Sequence, residues 1–268
     1  MDRKSLTDNG SVADIICYPV KGCAGVSLRT ASMTFRGLEH DREFMIVGAD
    51  GSFRSQRSNP VLAVVHPSIV DDVLTLSHAS FGSIAVEVNR HAQLRDVTMF
   101  DEPFQGIDQG DDVARWLGEI LGEECRLVGI TSTAPSFADS TAVHILSDAS
   151  MRGLNDRLDA PIPFGRFRPN IVVTGWADAH REDQVRLASV GTCELAFDKI
   201  AIRCAVTTVE QTTGIRTGPE PLRTLAAYRR GPTKGVVFGA KFSVNTVGRV
   251  SVGDEFTVLE EESSGLDH

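Results

Sequence analysis

One cysteine in this chain sits in a setting that a purely packed thiol does not need. In "IRCAVTTVEQTTG", Ile202 to Gly214, Cys204 follows Arg203 and precedes Thr207 and Thr208. A thiolate beside a guanidinium suits a metal ligand or a nucleophile. Side chains alternate along an extended segment, so neighbours in sequence need not share an environment, and packing also fits a free cysteine. Three further cations stand where a strand begins or turns: Lys21 in "YPVKGCAG", Arg42 in "HDREFMIV" and Arg168 in "FRPNIVV". Such positions aim side chains at ligands, and arginine forks match phosphate or carboxylate oxygens. Taken singly, each of the four also reads as an ordinary solvated cation.

The other cysteines carry less. Cys17 and Cys193 read as packing residues of strands or turns, and Cys125 follows Glu123 and Glu124, which would raise its pKa. The five cysteines are odd in number and form no CxxC pair, so neither a disulfide scaffold nor a zinc knuckle is indicated. "WADAHRED", Trp176 to Asp183, gathers three acids and a histidine but matches no metal motif, and it reads as a solvated loop. "GCAG" and "GADGS" match neither a phosphate loop nor a dinucleotide fingerprint.

The elements that must hold these residues are mostly strands. "ADIICYPV", "REFMIVG", "VLAVV", "VLTLS" and "IAVEV" are short, β-branched and bounded by turn formers, too closely spaced for βαβ units. "DQGDDVARWLGEILG" is a helix with Val113, Trp116, Leu117, Ile120 and Leu121 inward and Gly122 as its stop. Beyond it, "RLVGI", "VHILS", "NIVVTG", "VRLASVG" and "ELAFDKIAIRCAVT" read as strands. Ser147 caps a helix carrying Met151, Leu154 and Leu158, and "PEPLRTLAAYRR" is a short helix. "FSVNTVGRVSVGDEFTVLE" closes the chain with strands. The expected class is β-rich α+β, with two barrel-like β domains and a few covering helices, divided at residues 12–130 and 131–262.

The chain has 268 residues, 41% hydrophobic and 24% charged, enough to bury a core. With 36 acids against 27 lysines and arginines, its net charge of -9 argues against a nucleic-acid surface but leaves room for a basic pocket. No apolar run approaches the roughly 20 residues of a membrane span, and the polar start lacks a signal core. These features point to a cytoplasmic protein without a membrane span.

The order of "YPVKGCAG", "HDREFMIV", "FRPNIVVTG", "IRCAVTTVEQTTG" and the closing "FGAKFSV" and "GRVSVGDEF" resembles the MOSC family, in the branch with an N-terminal β-barrel that contains the mitochondrial amidoxime-reducing component and its bacterial relatives. The likeness spans nearly the whole chain. It implies a molybdenum cofactor, with Cys204 as the protein ligand to the metal. It implies that Lys21, Arg42, Arg168 and Arg203 hold the anionic pterin phosphate and polar edge, with Asn170, Ser140 and Thr141 also at the cofactor. The activity implied is reduction of N-oxygenated small molecules. The electrons would come from a separate donor protein: a ferredoxin, a cytochrome b5-like protein or a flavin reductase. The sequence departs from the family at Gly22, Ile202 and Lys241, all flanking the implied site, which bears on substrate choice. A persulfide-handling or cofactor-carrying module, or a specialised biosynthetic enzyme on the same fold, is the alternative.

Overall fold

The computed structural model describes residues 9–132, 134–139, 141–231, 234–264 and 266. Its centre is a barrel of seven strands: Ile171–Thr174, Val143–Ser147, Val237–Thr246, Cys193–Ile202, Val185–Val190, Glu255–Glu261 and Gly10–Cys17, which closes back on Ile171–Thr174. Val26–Leu28 adds an eighth strand alongside Gly10–Cys17. One pair, Val143–Ser147 with Ile171–Thr174, is parallel. A parallel pair needs a crossover, and helix Asp148–Asn155 lies in that connection. Ser147 caps this helix by accepting from the Ser150 N–H, so the expected cap is present. The interior is aliphatic and aromatic, with Ile15, Ile145, Ile171, Leu195, Phe242 and Phe256 all buried.

A second sheet runs Phe44–Gly48, Cys125–Ile130, Glu102–Asp108, Leu94–Met99. Every residue of Phe44–Gly48 is buried. Its alternation sends Phe44 and Ile46 to one core, with Val113, Trp116 and Leu117 of helix Asp111–Leu121, and Met45 and Val47 to another. Gly122 ends the helix in the left-handed conformation, φ 69°. A meander of His66–Val70, Val73–His78 and Gly82–Glu87 covers the first of these cores.

Three readings of the sequence are corrected. "VLAVV" is a 3-10 helix, Pro60–Val64, rather than a strand. Pro60 at its first turn presets φ and has no N–H to donate to a ladder. The strand through "ELAFDKIAIRCAVT" stops at Ile202, and Ala205–Thr208 form a 3-10 turn. "WADAHRED" is solvated only at Ala177 and Asp178, while Trp176, His180, Glu182 and Asp183 are buried. Glu182 accepts from Ser147 Oγ at 2.8 Å and Ser150 Oγ at 2.7 Å, and Asp183 pairs with buried Arg229. Gly10–Cys17 belongs to the barrel formed by the later strands, and Thr30–Thr34 pairs with Gly248–Ser251. Hydrophobic alternation marks a strand without naming its partner.

Candidate functional site

The dispersed cations of the sequence converge because backbone ladders bring their segments together. Lys21 N–H donates to Phe44 O, Arg42 N–H to Tyr18 O and Phe44 N–H to Pro19 O, zipping residues 18–21 to 42–44. Phe137 N–H donates to Arg42 O, adding the 137–139 segment. Asn170 N–H donates to His144 O while Ile16 N–H donates to Asn170 O. Arg42 and Arg168 both take left-handed backbone angles, φ 51° and 55°. For a residue with a Cβ this conformation costs about 1 kcal/mol or more, and it turns both guanidinium groups toward one cleft.

That cleft, of about 210 Å3, is lined by Lys21, Arg42, Arg57, Arg166, Arg168, Arg203 and Lys241 against one carboxylate, Asp139. An excess of cations in a chain of net charge -9 is a local arrangement for an anion. Most of the cations are fixed by the protein. Lys21 Nζ donates to Phe137 O at 2.9 Å and pairs with Asp139. Arg42 pairs with Asp41 and lies over the Tyr18 ring, 4.4 Å from its centroid. Arg168 lies over the same ring at 4.1 Å and donates from Nη1 to Cys23 O at 2.6 Å, while its buried Nη2 has no partner among the described residues. Arg203 Nη1 donates to Phe167 O at 3.1 Å and reaches His144 Nε2 at 3.4 Å. Arg166 is answered by Glu210 and Thr217. Phe53 and Phe100 form an aromatic wall, with Lys21 Nζ 5.4 Å from each ring and Arg57 5.1 Å from Phe100.

The electrostatics follow from burial. Burial pushes Arg203 down to about 10, with Cys204 acting in the opposite sense. Burial, then repulsion from Arg42 and Arg203, lowers Lys241 to about 7. Burial, then Arg203 and Lys241, holds His144 well below its ordinary value. His144 is therefore neutral, its Nδ1 3.3 Å from Arg168 O and its Nε2 accepting from Arg203. Burial works against the Asp139 carboxylate, yet Lys21 holds it down at about 2.

Cys204 sits at the edge of this cleft, the exposed member of the five cysteines. It directly precedes the Ala205–Thr208 turn, where Thr207 N–H and Thr207 Oγ each donate to Cys204 O at 3.1 and 3.0 Å. The others are buried. Burial raises Cys23 to about 12, while burial and then Glu123 raise Cys125 to about 11, so neither is a ready thiolate.

Of the residues read from the sequence, Lys21, Arg42, Arg168, Arg203 and Cys204 line the cleft together. Asn170 does not. Its amide is spent on Ile16 O, Asp41 Oδ1 and the His144 N–H, which braces the cleft from behind. Thr141 turns instead to Asp198. Ser140 lies outside the described residues. His144, Asp139, Phe53, Phe100 and Arg57 are lining residues that the sequence did not reveal. Lys241 had a signal, as a charge where the family has an aromatic or polar residue. A larger groove of about 680 Å3 lies beyond Asp41, but its Arg90 and His40 are both answered by Glu43 and it holds no thiol. Among the described residues no three His, Cys, Asp or Glu gather as a metal site.

A closed seven-stranded barrel with several further sheets and few helices defines a strand-rich barrel class. Residues 9–124 match the MOSC N-terminal beta barrel domain and residues 133–257 the MOSC domain, and the chain belongs to this MOSC family. Its relatives include mitochondrial amidoxime-reducing component 1 of Mus musculus, 31% identical over 96% of this chain and 84% of that protein. Mitochondrial amidoxime reducing component 2 of Bos taurus is 32% identical over 94% and 84%. Among solved structures, the YuaD protein from Bacillus subtilis is 9% identical, covers 92% of this chain and 94% of that one, and has a TM-score of 0.42.

Proposed function

We propose that this chain is a molybdenum-cofactor reductase of N-oxygenated small molecules. The observation that carries the reading is the coincidence, in one cleft, of an exposed thiol with cations that the protein itself does not fully answer. The residues fit the cofactor in two respects. A thiolate is a soft ligand of the kind such a metal takes, and the cofactor brings its own sulfur donors, so one protein ligand suffices. The open Nη2 of Arg168, with Arg42, Lys21 and Arg203 beside it, suits a phosphate and a polar pterin edge.

When bound, the group would be held by Cys204 and the surrounding cations and would supply two-electron redox chemistry. The chain's own residues do the rest. Arg168, held at Nη1 by Cys23 O and stacked on Tyr18, presents a fixed donor that needs no reorganisation. Asp41 and Asp139 orient Arg42 and Lys21 without neutralising the cleft. Neutral His144 keeps Arg203 in place without adding a charge. In the overall reaction the N–O bond of an N-hydroxylated substrate breaks, two electrons and two protons are consumed, and the N–H compound and water are released. The electrons are delivered by a separate donor protein. The relatives' names carry the word amidoxime, which sets the substrate class of this proposal. Cytoplasmic placement is part of the same reading, supported by five free cysteines, which suit a reducing compartment. Among the described residues no helix is long and apolar enough to cross a membrane.

The test is metal analysis and turnover of protein from a molybdenum-replete host. The expected result is near-stoichiometric molybdenum, with reduction of benzamidoxime when an artificial electron donor is supplied and none with NADH and this chain alone. Molybdenum-free protein, or protein whose Cys204 carries a persulfide in place of metal chemistry, contradicts the reading.

A further inference from the structure

Among the described residues, Lys241 is the cation lining the cleft whose side chain makes no hydrogen bond, ion pair or ring contact, while Arg57 has only its contacts with the Phe53 and Phe100 rings. Lys241 stands on strand Val237–Thr246, directly across from His144 on Val143–Ser147. Cross-strand partners are close enough to share an environment, and both side chains line the cleft. His144 offers Lys241 no opposite charge, and Arg42 and Arg203 repel it. The nearby acids, Asp139, Asp41 and Asp198, are already engaged by Lys21, by Arg42 and by Lys199 with Thr141. Lys199, paired across the neighbouring strand, is itself cationic and turns to Asp198. A partly buried ammonium without a hydrogen-bond or ion-pair partner is costly unless something else completes it.

Arg168, whose Nη2 has no partner among the described residues, and Lys241 differ in kind. Arg168 is immobilised at its other nitrogen and against Tyr18, as befits a group meeting a resident cofactor. Lys241 ends a flexible four-carbon stem and is held by nothing, as befits a group meeting a ligand that comes and goes. On this basis, and resting on the proposed function, we infer that Lys241 receives a carboxylate carried by the exchanging N-oxygenated substrate. The enzyme would then select anionic over neutral members of that class. A carboxylate at Lys241 also favours the protonated amine, so binding should take up a proton at pH above about 7.

Calorimetry on protein as purified from a molybdenum-replete host, with benzoate and benzamide as probes, tests this. Benzoate should bind about tenfold more tightly than benzamide, the size of one hydrogen bond to a charged partner. Its measured enthalpy should vary with the ionisation enthalpy of the buffer. Lys241→Gln should erase the preference and Lys241→Arg should keep it. In parallel, the ratio of kcat/KM for 4-carboxybenzamidoxime to that for benzamidoxime should fall about tenfold in Lys241→Gln, with molybdenum content equal to that of the parent protein. A benzoate preference that survives Lys241→Gln overturns the inference. So does a loss of molybdenum in step with the substitution, since Lys241 would then belong to the cofactor. A parent protein without molybdenum would sink the proposed function instead, while the benzoate comparison between parent and variant would still report on Lys241.

Discussion

Two regions of this molecule bury charge, and they treat it in opposite ways. Beside helix Asp148–Asn155, Glu182 receives both Ser147 Oγ and Ser150 Oγ, and Asp183 faces Arg229 with neither side chain exposed. In the cleft, Arg168 Nη2 and Lys241 are left open within a wall of cations. The first arrangement is largely answered by the chain: both Glu182 oxygens and one Asp183 oxygen have partners, while Asp183 Oδ1 has none among the described residues. The second is incomplete until a ligand arrives. Charge alone therefore does not mark a site. What marks the cleft is an excess of one sign of charge beside an exposed thiol.

The sharpest way to break the contrast is to strip the answered region. Glu182→Ala removes the acceptor of two buried hydroxyls and disturbs the Ser147 cap, and hydrogen bonds to a charged partner are worth about 1.5–3 kcal/mol each. Urea unfolding should show a loss of about 3 kcal/mol or more, with molybdenum per folded molecule unchanged. A loss under about 1 kcal/mol would mean that the buried carboxylate is not structural.

The reverse is expected in the cleft. Arg168→Ala deletes a donor that the fold leaves unused, so molybdenum retention should fall about tenfold to a hundredfold while the unfolding midpoint moves little. Arg42→Ala is a mixed case. It removes the cation beside Asp41, whose carboxylate also receives the Tyr18 N–H and the Asn170 amide, so both metal and stability should drop. Equal metal content in Arg168→Ala and the parent protein would detach this wall from the cofactor.

A smaller effect concerns Lys241. Its folded pKa is depressed to about 7 against an unfolded value near 10.4. The unfolded chain therefore binds more protons between those values, and stability rises with pH across that window. The ligand-free cleft thus costs stability near neutral pH. Lys241→Gln should raise the melting temperature at pH 7 by a few degrees, about 2–4 °C per kcal/mol regained, and should flatten the rise between pH 7 and 10. An unchanged slope would mean that Lys241 is solvated or already paired.

How far the sequence carried these distinctions depends on range. Local signals were sufficient for helix Asp111–Leu121 with its Gly122 stop, for the Ser147 cap and for most strands. Pro60 overrode the β-branched run after it. The acids of "WADAHRED" read as solvated because their partners, Ser147, Ser150 and Arg229, lie more than 30 residues away in the chain. Lys21, Arg42, Arg168 and Arg203 were legible as candidates because strand ends are read locally. Asn170 was not separable from them, since its bracing of Asp41 and His144 exists only once the strands pair. Likewise, nothing in "VHILS" shows that His144 faces the cleft; that follows from its register with Lys241.

In the proposed function, Cys204 is the protein's ligand to molybdenum. The direct measurement compares Cys204→Ala and Cys204→Ser with Cys17→Ala, Cys125→Ala and Cys193→Ala at equal fold. The readouts are the molybdenum electronic spectrum and benzamidoxime reduction. Both Cys204 variants should lose turnover and the thiolate signature of the spectrum while retaining part of the cofactor through the phosphate anchors, because an alkoxide is a harder ligand than a thiolate. The buried cysteines should keep the spectrum and show only packing costs, about 1–3 kcal/mol. Parent-like turnover in Cys204→Ala, with another cysteine variant silent, would contradict the account.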